Sequence, residues 1–182
     1  MKVYKGFNSQ LQCTRGSGTY RYEIGRNEVT DEANIGKNGF HSSENPVETL
    51  RWYPLGSGGK ICLCEAGGSI EEEQGDRISS TELKPLEILN EVKLAVHIMA
   101  YICDHPFRKC EFHDETTDIG GETADAKIIA IAVGEKPMAR ARVGGIAGVV
   151  QKKDGKILGV NFKRIRENSD EKWLFVKENM NG

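Results

Sequence analysis

Two cysteines and two histidines lie close together in the middle of the chain, within residues 103–113. Thiolate sulfur and imidazole nitrogen are ligands that zinc prefers, and four of them form a tetrahedral site. The spacing C-x-H-x4-C-x2-H matches no standard zinc finger. We therefore expect either a cysteine that ends the apolar face of a helix with histidines at the surface, or a zinc site. Its ligands would be Cys103, His105, Cys110 and His113.

Charged residues are segregated along the chain, although the net charge is only -2. Residues 65–126 hold 15 Asp and Glu against 5 Lys and Arg, whereas residues 127–166 hold 10 Lys and Arg against 2 acids. Acidic patches can occupy a basic groove of a partner, and basic ones can contact nucleic acid, unless the segregation arose by chance. The predicted partner-binding acids are Glu71, Glu72, Glu73, Asp76, Glu111, Asp114, Glu115 and Asp118. The predicted nucleic-acid-binding residues are Arg140, Arg142, Lys152, Lys153, Lys156, Lys163, Arg164 and Arg166.

Local signals predict an α+β core over residues 1–113 with one short and one long helix. Asn45 is a good N-cap, Pro46 suits the first helical position, and Glu48 completes a capping box, which predicts a short helix over residues 47–52. Alternation over residues 60–65 predicts a strand after it. Apolar residues at steps of three and four predict the long helix over residues 90–103.

The C-terminal portion, residues 127–182, is predicted to be rich in β-structure. The acidic, glycine-containing stretch 114–126 is predicted to be a linker or loop between it and the core. Short strands with small residues then recur every nine or ten residues, which is typical of a few β-solenoid rungs. An antiparallel meander, with hairpins at residues 135–137 and at 153–156, explains the pattern equally well, because Asp-Gly between β-rich runs is a strong hairpin signal.

Several function classes lack their motifs in this sequence. There is no phosphate-binding glycine loop followed by Lys-Ser or Lys-Thr, no G-x-S-x-G nucleophile elbow and no H-E-x-x-H zinc motif. The chain has no long apolar run, and its first residues are unlike a signal peptide, so we expect a cytoplasmic protein without membrane insertion. Five cysteines form an odd number without a dense framework, which favours free thiols or a metal over disulfides.

One enzymatic class does resemble the N-terminal layout. An opening strand, then G-F-H-S-S before a helix, then another strand is similar to the ADP-ribosyltransferases, in which such elements cradle the nicotinamide of NAD. The resemblance implies Tyr4, His41 and Ser42 as catalytic candidates. It also requires a glutamate in a late strand, for which Glu65 and Glu111 are the available residues.

The motifs Y-K-G-F, G-F-H, N-P and W-Y-P together resemble uncharacterised proteins encoded by phages and prophages of gut Firmicutes. Size and character are further similar to type II-A anti-CRISPR proteins. That likeness implies an inhibitor without a catalytic centre or cofactor, which binds Cas9 or its complex with guide RNA in the bacterial host cytoplasm. An ADP-ribosyltransferase-like enzyme is the first alternative, and a basic nucleic-acid-binding accessory protein is the second.

Overall fold

The computed structural model describes residues 1–14, 18–73, 76–167 and 173–175. Strands make up about 49% of the chain, and two α-helices accompany them in the described part. This confirms the predicted α+β class with a β-rich C-terminal portion. The chain forms two compact units, Met1–Asn90 and Glu91–Gly182. Neither described helix is long and apolar enough to cross a membrane.

The elements of the N-terminal unit are β1 Lys2–Phe7, β2 Gln12–Cys13, β3 Tyr20–Arg21, β4 Glu28–Val29, β5 Phe40–Ser42, α1 Pro46–Trp52, β6 Lys60–Glu73 and β7 Arg77–Ile88. The main sheet of this unit is antiparallel, in the order β1-β6-β7-β4, with β5 also paired to β7. A short 3-10 turn, Leu55–Ser57, follows the helix. The hydrophobic core of the N-terminal unit contains Val3, Phe7, Tyr22, Phe40 and Leu83.

Helix α1 begins where the sequence predicts it. Asn45 Oδ1 accepts a hydrogen bond from Val47 N at 3.0 Å, which satisfies one of the amides that a helix start leaves unpaired. Asn45 N donates to Ser43 Oγ at 3.0 Å, while the Glu48 carboxylate pairs with Arg51 one turn later, at 3.0 Å.

The C-terminal unit starts with a helix and continues with short strands. The helix agrees with its prediction to within one residue at each end. The stretch 114–126, predicted to be a linker or loop, instead contains two strands. The elements are α2 Glu91–Asp104, β8 Phe112–His113, β9 Thr117–Ile119, β10 Thr123–Ala126, β11 Ile129–Gly134, β12 Met138–Ala141, β13 Ile146–Lys153 and β14 Lys156–Arg164.

These strands stack as successive coils of a small β-solenoid. Strands β9, β11 and β13 pair in parallel, so that Thr117, Ile129 and Ile146 lie in register, and β10 pairs in parallel with β12. The predicted hairpin at residues 135–137 is therefore wrong, because β12 pairs with β10 and not with β11. The hairpin at 153–156 is confirmed: Asp154 and Gly155 have φ of 49° and 73°, as a type I′ turn requires, and β14 pairs antiparallel with β13.

Candidate functional site

The N-terminal unit contains a cavity of about 290 Å³. Strands β1, β5 and β7 and helix α1 supply most of its wall. Polar or charged residues make up half of the wall, and aromatic and aliphatic side chains account for most of the rest. The lining residues are Tyr4, Lys5, Gly6, Cys13, Ile35, Gly36, His41, Ser42, Ser43, Glu48, Thr49, Trp52, Tyr53, Asp76, Arg77 and Ile78.

A single bridge between β1 and the end of β5 brings the three predicted catalytic residues to this cavity. Tyr4 N donates to Ser43 O at 2.7 Å, and Ser43 N donates to Tyr4 O at 2.9 Å. Residues nearly 40 positions apart in sequence thereby become neighbours, and Tyr4, His41 and Ser42 all line the same cavity. The sequence alone identified these residues through a resemblance, whereas the bridge depends on long-range pairing.

A glycine allows β5 to start so close to β7. Gly39 has φ of +84°, a backbone conformation that residues with a Cβ rarely adopt. A Cβ at this position would lie 2.4 Å from Ser79 Oγ and 2.8 Å from Ala33 Cα. The G-F-H-S-S motif therefore begins with the residue type that its geometry requires.

His41 is held by the loop that precedes its strand. Its Nε2 accepts a hydrogen bond from Gly36 N at 2.9 Å. A nitrogen that accepts carries no proton, so the ring is neutral with its proton on Nδ1. Burial of part of the ring and the nearby charge of Lys5 both lower the pKa of His41. Backbone hydrogen bonds of the ring to Asn34 and Gly39 oppose this lowering only in part.

Two further polar groups of the cavity are neutral. Burial raises the pKa of the Tyr4 phenol above its usual range. Ser42 Oγ is buried and has no hydrogen-bond partner among the described residues. Buried hydroxyls are nearly always hydrogen-bonded, so this one is an exception, and its burial also keeps the oxygen out of reach of a ligand in the cavity.

Helix α1 contributes an aromatic wall through Trp52 and Tyr53. Trp52 is 55% exposed, so its ring is accessible to a ligand. Tyr53 is fixed, because its hydroxyl accepts from Thr14 N at 2.9 Å and lies 3.5 Å from Cys13 Sγ. Cys13 and Thr14 are therefore tied to the residue that ends helix α1.

The acids predicted to complete an ADP-ribosyltransferase site do not lie at the cavity. Glu65 is exposed on β6, and Glu111 lies in the other unit, paired with Lys109 at 2.8 Å. Among the described lining residues, the carboxylates are instead Glu48 and Asp76. Sequence reasoning assigned Glu48 to capping and Asp76 to a surface patch, and no local signal linked either of them to His41.

The structure does not gather the predicted zinc ligands. His105 stacks on Tyr101 with ring centroids 4.2 Å apart, and His113 Nδ1 lies 2.6 Å from Asp118 Oδ1. Cys110 is buried and Cys103 is half-buried. Within residues 1–14, 18–73, 76–167 and 173–175, no three His, Cys, Asp or Glu side chains form a group that could hold a metal ion.

Several predicted partner-binding acids are occupied by contacts within their own unit. Glu71 accepts from Ile35 N at 2.5 Å, and Asp114 accepts from the amides of Thr116 and Thr117 at 2.7 Å. Asp118 contacts His113 and also accepts from Asp125 N. The three consecutive glutamates at the end of β6, residues 71–73, are exposed, with Glu73 lying 3.7 Å from Arg77.

The acidic and basic blocks of the sequence meet in the C-terminal unit. Arg140 pairs with Asp125 and lies over the Trp173 ring at 4.8 Å. Lys127 forms a second ion pair of this kind, with Glu115. The solenoid coils place residues about 12 to 15 positions apart beside each other, so segregation in sequence becomes pairing in space.

The remaining predicted basic residues divide into two groups. Lys152 donates to Pro106 O at 3.0 Å, and Lys153 lies 3.2 Å from Glu135. The others are exposed on or just beyond strands β12 and β14: Arg142, Lys156, Lys163, Arg164 and Arg166.

A family model described as "Domain of unknown function (DUF7666)" matches residues 1–97, slightly more than half of the chain. The matched range contains the entire cavity. No curated protein and no solved structure matches the chain.

Proposed function

The chain belongs to the DUF7666 family, and we propose that its N-terminal unit is an ADP-ribosyltransferase-like enzyme that binds NAD in the cavity beside His41. One observation carries this proposal. The three residues implied by the resemblance, Tyr4, His41 and Ser42, line one cavity, although they come from two separate segments of sequence.

The chemistry of the cavity suits a planar, polar ring such as nicotinamide. Trp52 and Tyr53 offer aromatic faces, and stacked or edge-on aromatic pairs contribute roughly 0.5–1.5 kcal/mol beyond their area burial. The neutral imidazole of His41 and the phenol of Tyr4 supply polar groups in the wall beside a bound carboxamide. The volume is at the small end of the range for ligand sites, about 300–1,000 Å³. It fits a ring and its sugar, with the remainder of the dinucleotide lying outside.

Transfer of ADP-ribose requires cleavage of the bond between nicotinamide and ribose. The bonding electrons leave with the nicotinamide nitrogen, and positive charge develops at the ribose carbon, as in glycoside hydrolysis. A carboxylate nearby stabilises that charge. Glu48 and Asp76 are the candidates for this role in the described wall. Asp76 is favoured because the Glu48 carboxylate already pairs with Arg51.

The test measures nicotinamide release and transfer of labelled ADP-ribose with the whole chain. We expect turnover, and a loss of about 100-fold in His41→Ala, since a misplaced ring costs about that much in rate. His113→Ala, in the other unit, is the matched control and should retain activity. Asp76→Asn and Glu48→Gln identify the carboxylate. If NAD neither binds nor turns over, the proposal fails.

The exposed glutamates at the end of β6 favour a second candidate, an inhibitor from a phage that binds Cas9 in the bacterial cytoplasm. An exposed run of carboxylates complements a basic nucleic-acid groove. A plasmid-protection assay with guide RNA and excess protein tests it. Charge reversal at Glu71, Glu72 and Glu73 should abolish protection, whereas reversal of the exposed Glu65 on the same strand should not. Unimpaired cleavage in the presence of the unmodified protein refutes this candidate.

Nucleic-acid binding is proposed only for the exposed basic residues of β14, which are Lys156, Lys163 and Arg164. No described acid lies within ion-pair distance of them. A mobility shift with single-stranded DNA at low salt, lost in the triple alanine variant, would support this function. No shift at low salt would exclude it.

A further inference from the structure

Lys5 is a buried lysine in the wall of the cavity. Its residue surface is only 5% exposed, and it lies on β1 between the core residues Val3 and Phe7. Lysine is seldom buried this deeply without a charged partner. No carboxylate of the described residues lies within ion-pair distance of it. Lys5 Nζ instead donates to His41 O, and both of these residues line the cavity.

The groups that surround this amine leave its charge without a fixed anion. Lys5 Nζ lies 5.3 Å from the centre of the ring of Tyr22, the residue that follows β3. The thiols of Cys13 on β2 and Cys64 on β6 lie nearby. His41 on β5 is neutral. Burial of the ammonium group lowers the pKa of Lys5, and the two thiols oppose this effect only in part.

We propose that Lys5 is a nucleophilic amine that captures small aldehydes entering the cavity, as a covalent imine. Desolvated lysines are the residues that proteins use for this chemistry. The hydrogen bond from Lys5 Nζ to His41 O favours the reaction. A carbonyl oxygen accepts an N–H proton and leaves the lone pair of the neutral amine free. The placement of Lys5 on a paired strand also holds the amine in one position.

The reaction balances without an oxidant or a metal. The lone pair of Nζ attacks the aldehyde carbon and forms a C–N bond, while the carbonyl oxygen takes up a proton. Loss of water from this adduct gives the imine. One amine proton leaves with the water, and the other is released to solvent, where it replaces the proton that the carbonyl oxygen took up. Hydrolysis returns the free amine and the aldehyde.

The test uses the unmodified chain with propanal as the probe and cyanoborohydride as the reductant, which converts the imine into a stable secondary amine. Peptide mass spectrometry then gives the extent of alkylation at each lysine. Lys2 is the internal control, because it lies exposed on the same strand. Each unit by which burial lowers the pKa of Lys5 gives about tenfold more neutral amine at neutral pH.

We expect Lys5 to be alkylated several-fold faster than Lys2 at pH 7, and this preference to disappear in urea. The pH at which the alkylation rate of Lys5 is half-maximal should also be lower in the native protein than in urea. If Lys5 is modified more slowly than Lys2 at every pH in the native protein, the amine serves only to join β1 to β5, and the proposal is overturned. Neither outcome depends on NAD turnover.

Discussion

The close contact between β1 and helix α1 can be tested by adding one methyl group. Gly6 lies in β1, and a Cβ there would be 2.7 Å from Tyr53 Cδ2 and 3.2 Å from Thr49 O. Both of these partners line the cavity. The substitution Gly6→Ala must therefore displace the Tyr53 ring or move the helix away from the strand.

The cost follows from the two contacts. Overpacking of a tight site typically destabilises a protein by about 1–3 kcal/mol. Movement of the Tyr53 ring also weakens the hydrogen bond from Thr14 N, worth about 0.5–1.5 kcal/mol. Loss of backbone freedom in the unfolded state offsets roughly 0.4–1 kcal/mol of this. The midpoints of these ranges give a net loss of roughly 2 kcal/mol in the free energy of unfolding.

Gly67→Ala is the matched control within the same unit. A Cβ at Gly67 meets only Glu82 atoms, at 3.4 Å or more, which is ordinary contact. Its stability should rise by about 0.4–1 kcal/mol, because the same loss of freedom in the unfolded state acts there without a clash. In a Trp173→Phe background Trp52 is the remaining tryptophan of the chain, so its fluorescence in urea reports the N-terminal unit alone. Gly6→Ala should lower the midpoint by roughly 0.5–1 M urea.

Two results would refute this reasoning. Equal stability of Gly6→Ala and the parent protein would mean that α1 does not pack against β1 as described. An equal loss in Gly67→Ala would mean that the effect comes from glycine replacement in a strand and not from the contact with Tyr53.

Two predictions concern pH. The folded pKa of His41 is lowered, so the unfolded chain binds more protons below about pH 6.5, and the N-terminal unit should lose stability as the pH falls from 7 to 5. In urea unfolding, His41→Ala should remove the loss of stability between pH 7 and pH 5. An unchanged pH dependence in this variant would assign that loss to another group. The Arg140 guanidinium lowers the pKa of Asp125. The ion pair should therefore stabilise the folded C-terminal unit by less than about 1 kcal/mol above about pH 3.9. This stabilisation should be lost as the pH falls through the folded pKa of Asp125. Asp125→Asn should remove this acid-dependent part, measured as the unfolding midpoint between pH 5 and pH 2, and a profile that keeps it contradicts the pairing.

Features that depend on neighbours in sequence were predictable from the sequence. The start of α1 follows from Asn45 and Pro46, because capping involves residues within one turn. Helix α2 follows from its apolar spacing, and the hairpin at Asp154 and Gly155 follows from the φ values that such a turn demands. The α+β class follows from these local elements together.

Features that depend on which strands pair were decided by the tertiary structure. Small residues over 117–150 suit parallel coils and antiparallel hairpins alike, since both alternate side chains with a period of two. The parallel register of β11 with β13 distinguishes them. It also turned two oppositely charged blocks of sequence into ion pairs such as Asp125 with Arg140.

The sequence by itself determined where the helices start and which turn reverses the last two strands, because those choices are fixed by dihedral preferences and hydrogen bonds over a few residues. The tertiary structure alone decided that Tyr4 and His41 share one cavity and that Lys5 is buried in its wall without a described acid. These placements arise from pairing between distant strands, and no local pattern encodes such pairing.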